Sequence, residues 1–397
     1  MLSDILDYNL YIACLLVWIL IGVTLCIKGS VITKNETKTS VSIFVCLLFT
    51  SGLDIGLLLF PLTEFSSYKS SEYLGINPVA IELGFWGFSV WGFYFLATCY
   101  FLFVEPRINL FEKKYFNVIF MMLIILTCAF SVNLFVDFFL SYQVDIFERP
   151  LFTRNEIIVL ATIIIALGFV LSKTNSVIKL ISTCSVILFI LTVIIGGISV
   201  IFNGDFIYLL NIMLKGTTGY INNFDEFLTP MNDYHQFYLF WWFSWSIMVG
   251  KFTAQYTPKG LTIRNIFVIM ILIPTMPLIL WFSILFYFSE SVNNISDNYL
   301  YLMFFVGVLF LINSLSAIFN VIESMAIKLT SNKKFPRFLL FIFMLIAFCL
   351  YSFKSGNESL LKIDYTGTLS IFVFYMMVIS IIHHKFSIKK IKKIAEI

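Results

Sequence analysis

Residues 40–61 read SVSIFVCLLFTSGLDIGLLLFP, an apolar run interrupted at its middle by Thr50-Ser51-Gly52-Leu53-Asp54-Ile55-Gly56. A bilayer core of roughly 30 Å takes about 20 apolar residues in a helix, so the run is long enough to cross. Asp54 is the only acid well inside such a run. A carboxylate at that depth costs several kcal/mol, roughly 2.5–3.5 by insertion scales, and should face a cavity or a partner. The flanking glycines permit backbone conformations closed to other residues, so an unwound turn here would free N–H and C=O groups beside the acid. The alternative is a helix–helix contact at Ser51, Gly52 and Gly56, with Asp54 as a buried polar link.

Working outward, ten further apolar runs appear, at 9–27, 83–104, 115–139, 155–172, 178–202, 236–255, 265–288, 299–322, 335–352 and 365–382. Hydrophobic residues make up 60% of the 397 and charged residues 12%, with a mean hydropathy of +0.94. A globular domain carries about a quarter of its residues as charges. Most of this surface must therefore face lipid, and the expected fold class is an all-α membrane protein with 11 transmembrane helices. The first run lacks preceding basic residues and a small-residue cleavage site, so it reads as an anchor. The net charge of +3 gives no reason to expect a nucleic-acid partner.

Alternate loops hold 20 of the 26 basic residues, from Lys28–Lys38 through Arg107–Lys114 and Lys251–Arg264 to the tail after Lys385. Basic residues mark the cytoplasmic side. The expected location is the cell (inner) membrane, with the amino terminus outside and the carboxyl terminus cytoplasmic. Between the sixth and seventh runs, residues 203–235 place Phe206, Leu209, Leu210 and Met213 at helical spacing, an expected interfacial helix on the outer face.

Enzyme chemistry finds little support. The seven cysteines lie singly inside apolar runs with no CxxC pair, and the three histidines lack companions for a metal site. His235 is the one candidate base near a span, with nothing beside it to complete a nucleophile or metal set. The sequence contains no phosphate-binding loop of the GxxxxGK[ST] type, so a transport reading needs an ion gradient or the solute gradient itself.

A second group that does not suit lipid is aromatic. Trp86, Trp91 and Tyr94 share one broad face of the third run, and Trp241, Trp242 and Trp245 lie in the seventh. Trp91 and Asp54 lie about 12 Å below the outer boundary and Trp245 about 14 Å, at 1.5 Å per residue. That is too deep for an interfacial belt. Converging rings favour a cation through their negative faces, and quaternary ammoniums need no hydrogen bonds. An aromatic packing core is the competing explanation. In the ninth run, Asn313-Ser314-Leu315-Ser316 offers oxygens either to a small cation or to the helix's own carbonyls.

These residues resemble the betaine/choline/carnitine transporter family. Trp241-Trp242-Phe243-Ser244-Trp245-Ser246-Ile247-Met248-Val249-Gly250, followed by Lys259-Gly260-Leu261-Thr262-Ile263-Arg264, is similar to its Trp-Trp-x-x-Trp-Ser-Pro-Phe-Val-Gly run and basic loop. Phe85-Trp86-Gly87-Phe88-Ser89-Val90-Trp91-Gly92-Phe93-Tyr94 resembles its His-Trp-Gly-Leu-His-x-Trp-Ala-x-Tyr, and Gly52 to Gly56 with Glu64 resembles Gly-Met-Gly-Ile-Gly and the acid after it. The order holds from about residue 9 to the end. The family's first helix has no counterpart, Pro258 is inserted, Leu261 replaces a basic residue, Ile247 replaces proline, Asn313-Ser314 stands for Thr-Ser, and Asp54 replaces the middle glycine.

The resemblance implies a five-plus-five inverted repeat (LeuT-like) preceded by one helix, with substrate and ion sites where the first helix of each repeat is broken. The units would be 1–39, the repeat 40–202, the external segment 203–235, the repeat 236–382 and the tail 383–397. By resemblance Trp86, Trp91, Tyr94 and Trp242 would cage a trimethylammonium group with Trp245 close by. Asn313 and Ser314 would hold an ion together with the backbone carbonyls of Thr50 and Leu53. No cofactor is implied beyond sodium or proton coupling, and many family members are homotrimers. The expected function is import of a small cationic or zwitterionic solute, choline ahead of glycine betaine because Asp54 would attract the cation and repel a carboxylate. The rivals are a transport-dead sensor or assembly paralogue and a membrane-embedded enzyme.

Overall fold

The computed structural model describes residues 2–26, 33, 39–53, 55–147, 150–290, 295–330, 337–355, 358–359 and 362–395. Asp54 lies outside them, as do most residues of the loop 27–38. The described chain is all-helical apart from one short antiparallel pairing of Lys354–Ser355 with Glu358–Ser359.

The helices run in chain order as α1 (Leu2–Cys26), α2 (Val41–Gly52), α3 (Gly56–Glu64), α4 (Pro78–Trp86), α5 (Phe88–Cys99), α6 (Glu105–Ile108), α7 (Lys114–Phe147) and α8 (Arg154–Leu171). They continue as α9 (Asn175–Phe202), α10 (Phe206–Asn222), α11 (Asp233–Tyr256), α12 (Ile263–Phe267), α13 (Ile273–Glu290), α14 (Asp297–Thr330), α15 (Arg337–Ser352) and α16 (Ile363–Ala395). Single π-helical turns at Tyr100–Val104 and Val268–Leu272 join α5 to α6 and α12 to α13.

Among the described residues, eight helical segments are long and apolar enough to cross a membrane, and nine when α2 and α3 are taken as one bent span. Two of the eleven expected runs fall short of that test for different reasons. The run at 236–255 is the 24-residue α11, whose tryptophans, tyrosines and serines lower its hydropathy. The run at 335–352 is α15, only 16 residues long and so about 24 Å.

α2 and α3 meet at 52°. Helix α2 starts where the Ser40 hydroxyl accepts the Ile43 N–H, and it stops at Leu53, whose backbone is extended (φ −123°, ψ 152°). The bent span is enclosed by α11 and α14, each packed against α2. α11 also packs on α5 and α16, and α14 on α8 and α9. Between α4 and α5, Gly87 departs from helical geometry, and a Cβ there would stand 2.3 Å from the Leu83 carbonyl oxygen. Only glycine fits that approach. α10 lies across α4 and α13, burying Leu209, Ile212, Gly216 and Tyr220 while Ile207, Leu214 and Ile221 stay exposed.

One expectation is corrected here. The first helix of each repeat was expected to be broken at the site, but α11 is continuous from Asp233 to Tyr256. The physical reason lies in its sequence. Ile247 keeps the backbone N–H that proline would remove, and no glycine interrupts the helix before Gly250.

Candidate functional site

The break between α2 and α3 organises the site. Where a helix stops inside a bilayer, its last carbonyls have no water to turn to and must find donors within the protein. Four consecutive carbonyls converge on three side-chain donors. The Thr50 and Leu53 oxygens face the Ser314 hydroxyl at 2.9 and 3.0 Å, Ser51 O accepts the Trp245 indole N–H at 3.0 Å, and Gly52 O accepts the Tyr94 hydroxyl at 2.7 Å. Beyond the break, Trp281 donates to Leu57 O at 3.0 Å. Tyr94, Trp245 and Ser314 come from α5, α11 and α14, so three separate helices converge on four residues. Gly52 permits the approach, since a Cβ there would stand 2.6 Å from a Tyr94 ring carbon.

The Ser314 oxygen also lies 3.0 Å from Phe310 O. One hydroxyl proton thus faces three carbonyl oxygens, a nest richer in acceptors than in donors and of the kind that suits a hard cation. Asn313 is not part of it. Its amide donates to Ser185 Oγ at 2.6 Å and to Leu309 O at 2.9 Å, while Ser182 donates to its carbonyl at 3.4 Å. The structure therefore turns Asn313 into the contact between α9 and α14 and away from Thr50 and Leu53.

The caging aromatics form two groups. In one, Trp86 meets Trp242 edge-on at 5.0 Å, and Trp242 stacks on Trp241 at 5.0 Å with planes 10° apart; Tyr238 packs on Trp86 and Trp242 at 5.6 and 5.8 Å. In the other, Trp91 meets Tyr94 edge-on at 5.6 Å and stacks on Phe49 at 6.0 Å. Trp86, Trp91, Tyr94, Trp242 and Trp245 are all buried, none more than 2% exposed. Among the described residues no ring contact links Trp91 with Trp86 or Trp242, so the four expected cage residues do not close into one box here.

The indole N–H groups differ in a telling way. Those of Trp241, Trp245 and Trp281 are paired, with Ser131 Oγ, Ser51 O and Leu57 O. Those of Trp86, Trp91 and Trp242 are buried and have no acceptor among the described residues. Unpaired buried donors are costly. They fall on three of the residues expected to hold the solute.

Glu64 closes α3 and accepts three phenolic hydroxyls, from Tyr68 at 2.7 Å, from Tyr238 at 3.1 Å and from Tyr234. Glu82 of α4 faces this group and is fully buried. Sequence reasoning passed over Glu82 because it sits at the edge of an apolar run, where an acid reads as a flank. Its spacing four residues before Trp86, one helical turn along the same face, was the available signal.

No family model matches the chain. Curated relatives do. A betaine/ectoine transporter of Corynebacterium glutamicum is 25% identical over 291 residues, covering 63% of this chain and 46% of the relative. A glycine betaine transporter of Acinetobacter baylyi is 26% identical over 288 residues, 62% of this chain and 42% of the relative. Over these stretches the chain is similar to proteins named as transporters of betaine and ectoine. A high-affinity choline transport protein of Escherichia coli matches a shorter stretch, 33% identical over 95 residues, 21% of this chain and 14% of that protein. The chain spans under half the length of these relatives. They are named as transporters and not as enzymes.

Proposed function

We propose that the chain is an ion-coupled secondary transporter that imports a quaternary-ammonium solute by alternating access, choline first and glycine betaine next. The observation that carries the reading is the broken span held by Tyr94, Trp245 and Ser314, with buried aromatics of α4, α5 and α11 packed around it. Ring faces would take the trimethylammonium group. The three unpaired indole N–H groups of Trp86, Trp91 and Trp242 would donate to an oxygen at the solute's other end, the hydroxyl of choline or the carboxylate of betaine. Asp54 tilts the choice toward choline by its charge.

In this reading the coupling ion binds among Thr50 O, Leu53 O and Ser314 Oγ, without Asn313. Eleven spans, the inverted repeat over 40–202 and 236–382, the external amino terminus, the inner-membrane location and a homotrimer belong to the same proposal. One observation favours the second reading, a transport-dead paralogue: α11 is unbroken where an alternating-access site would have a hinge.

Counterflow in proteoliposomes separates the two. Exchange of labelled choline or betaine across sealed vesicles is expected, with sodium and proton gradients imposed separately to identify the driving ion. Binding of solute without exchange would establish the transport-dead reading instead.

A further inference from the structure

One turn of α4 before Trp86, two acids meet in the protein interior. Glu64 is 5% exposed and Glu82 is 0% exposed. The titratable groups that act on them are Tyr68 and Tyr73 from the segment after α3 and Tyr234 and Tyr238 from α11, and no basic residue is paired with either acid among the described residues. Lys69, the nearest in sequence, reaches Glu290 at 3.5 Å instead. His235 stacks on Phe85 at 4.8 Å, and its Nδ1 accepts the Met231 N–H, which leaves it occupied elsewhere.

The two carboxyls are not equivalent. Glu64 collects three phenolic donors, the environment of an ionised carboxylate. Glu82 has no donor at either oxygen among the described residues. Phe85, one turn along α4 from Glu82, packs on Tyr68 and Tyr238, two of the phenols bonded to Glu64, so the acids share one pocket; two neighbouring carboxylates out of water and without a cation cannot both be ionised. The partner they lack is small and positive.

We infer that Glu64 and Glu82 form a proton-binding site in which Glu82 is a neutral acid whose O–H donates to the ionised Glu64. The pair holds one proton and one negative charge. Loss of that proton leaves two neighbouring carboxylates, one on α3 and one on α4, which repel one another. Tyr238 ties the pair to the aromatics, since its hydroxyl lies on Glu64 while its ring packs on Trp86 and Trp242. The site thereby links protonation to access at the aromatic group; this purpose rests on the transporter reading, whereas the shared proton does not.

Infrared difference spectroscopy of the purified full chain, titrated from about pH 5 to about pH 9, tests the proton directly. The carbonyl band of a protonated carboxyl is expected at neutral pH and is expected to be lost in Glu82→Gln. Absence of the band in the unmodified protein, or its persistence unchanged in Glu82→Gln, overturns the site. Because that variant could fail to fold, thermal unfolding of the unmodified protein provides a second measure. A folded state that keeps a proton the unfolded chain releases must lose stability as pH rises. A melting temperature that does not fall between about pH 7 and about pH 9, where His235 is largely neutral in both states, overturns the site as well. Absence of counterflow would remove the transporter reading while leaving both of these results standing.

Discussion

The broken span α2–α3 and the continuous helix α11 were expected to be counterparts, and they differ in how they treat their backbones. In α2–α3, glycine lets Tyr94 close on the chain, and donors from three helices receive the carbonyls that the break releases. In α11 the N–H groups stay within the helix, and its side chains provide donors to others: Trp241 to Ser131 and Trp245 to Ser51. A break in lipid thus requires both a residue that permits it and partners that receive what it frees. α11 supplies partners and needs none.

The sharpest way to break this comparison is to force α11 to resemble α2–α3. Ile247→Pro removes a backbone hydrogen bond and inserts a ring against the preceding turn, and is expected to cost about 3 kcal/mol or more. Thermal unfolding in detergent measures it, and an unchanged melting temperature would mean that α11 already yields at that point.

Next in size come the indoles with free N–H groups. Losing a good cation-facing ring is worth about 2 kcal/mol in a desolvated site, so Trp242→Leu and Trp91→Leu should each weaken choline binding roughly thirtyfold. Trp281→Leu, which strips the donor from Leu57 O, should instead lower stability with a smaller effect on binding. Equal losses of affinity in all three would favour the packing-core explanation.

Gly52→Ala tests the close approach itself. The added Cβ meets Tyr94, and overpacking of this kind costs typically about 1–3 kcal/mol. The paired change with Tyr94→Phe should leave the ring clash in place, so a full rescue by that second substitution would show the hydrogen bond to be the strained element.

The smallest effects distinguish two adjacent residues of α14. Ser314→Ala and Asn313→Ala should each cost about 1 kcal/mol of stability. Only Ser314→Ala is expected to shift the cation concentration needed for half-maximal uptake, because Asn313 is engaged with α9. A matching shift in Asn313→Ala would return it to the ion site.

These contrasts mark what the sequence could and could not convey. The interruption at Gly52–Gly56 was legible because polar and small residues in lipid demand an explanation. The aromatic residues were legible because their depth excludes a belt. The roles of Asn313 and Ser314 were not, since neighbours on a helix point about 100° apart and a pattern alone does not say which of them faces inward. Ser182 and Ser185, one turn apart on α9, decide it through contacts with Asn313 that link residues far apart in the chain. The continuity of α11 was partly legible: the resemblance of motifs carried a break with it, while Ile247 in the place of proline pointed the other way. Asp54 remains the residue on which the sequence says most and the described structure nothing.

The carbonyls at the break have one more consequence, and it concerns the order in which the chain is made. Residues 50–57 emerge from the ribosome before their donors, which follow at positions 94, 245, 281 and 314. Until the last of these has been synthesised, the second span cannot rest in its final form. It must wait in a helical or hydrated state while more than half of the protein is added. A chain truncated before Ser314 would therefore lack the last donor to the break.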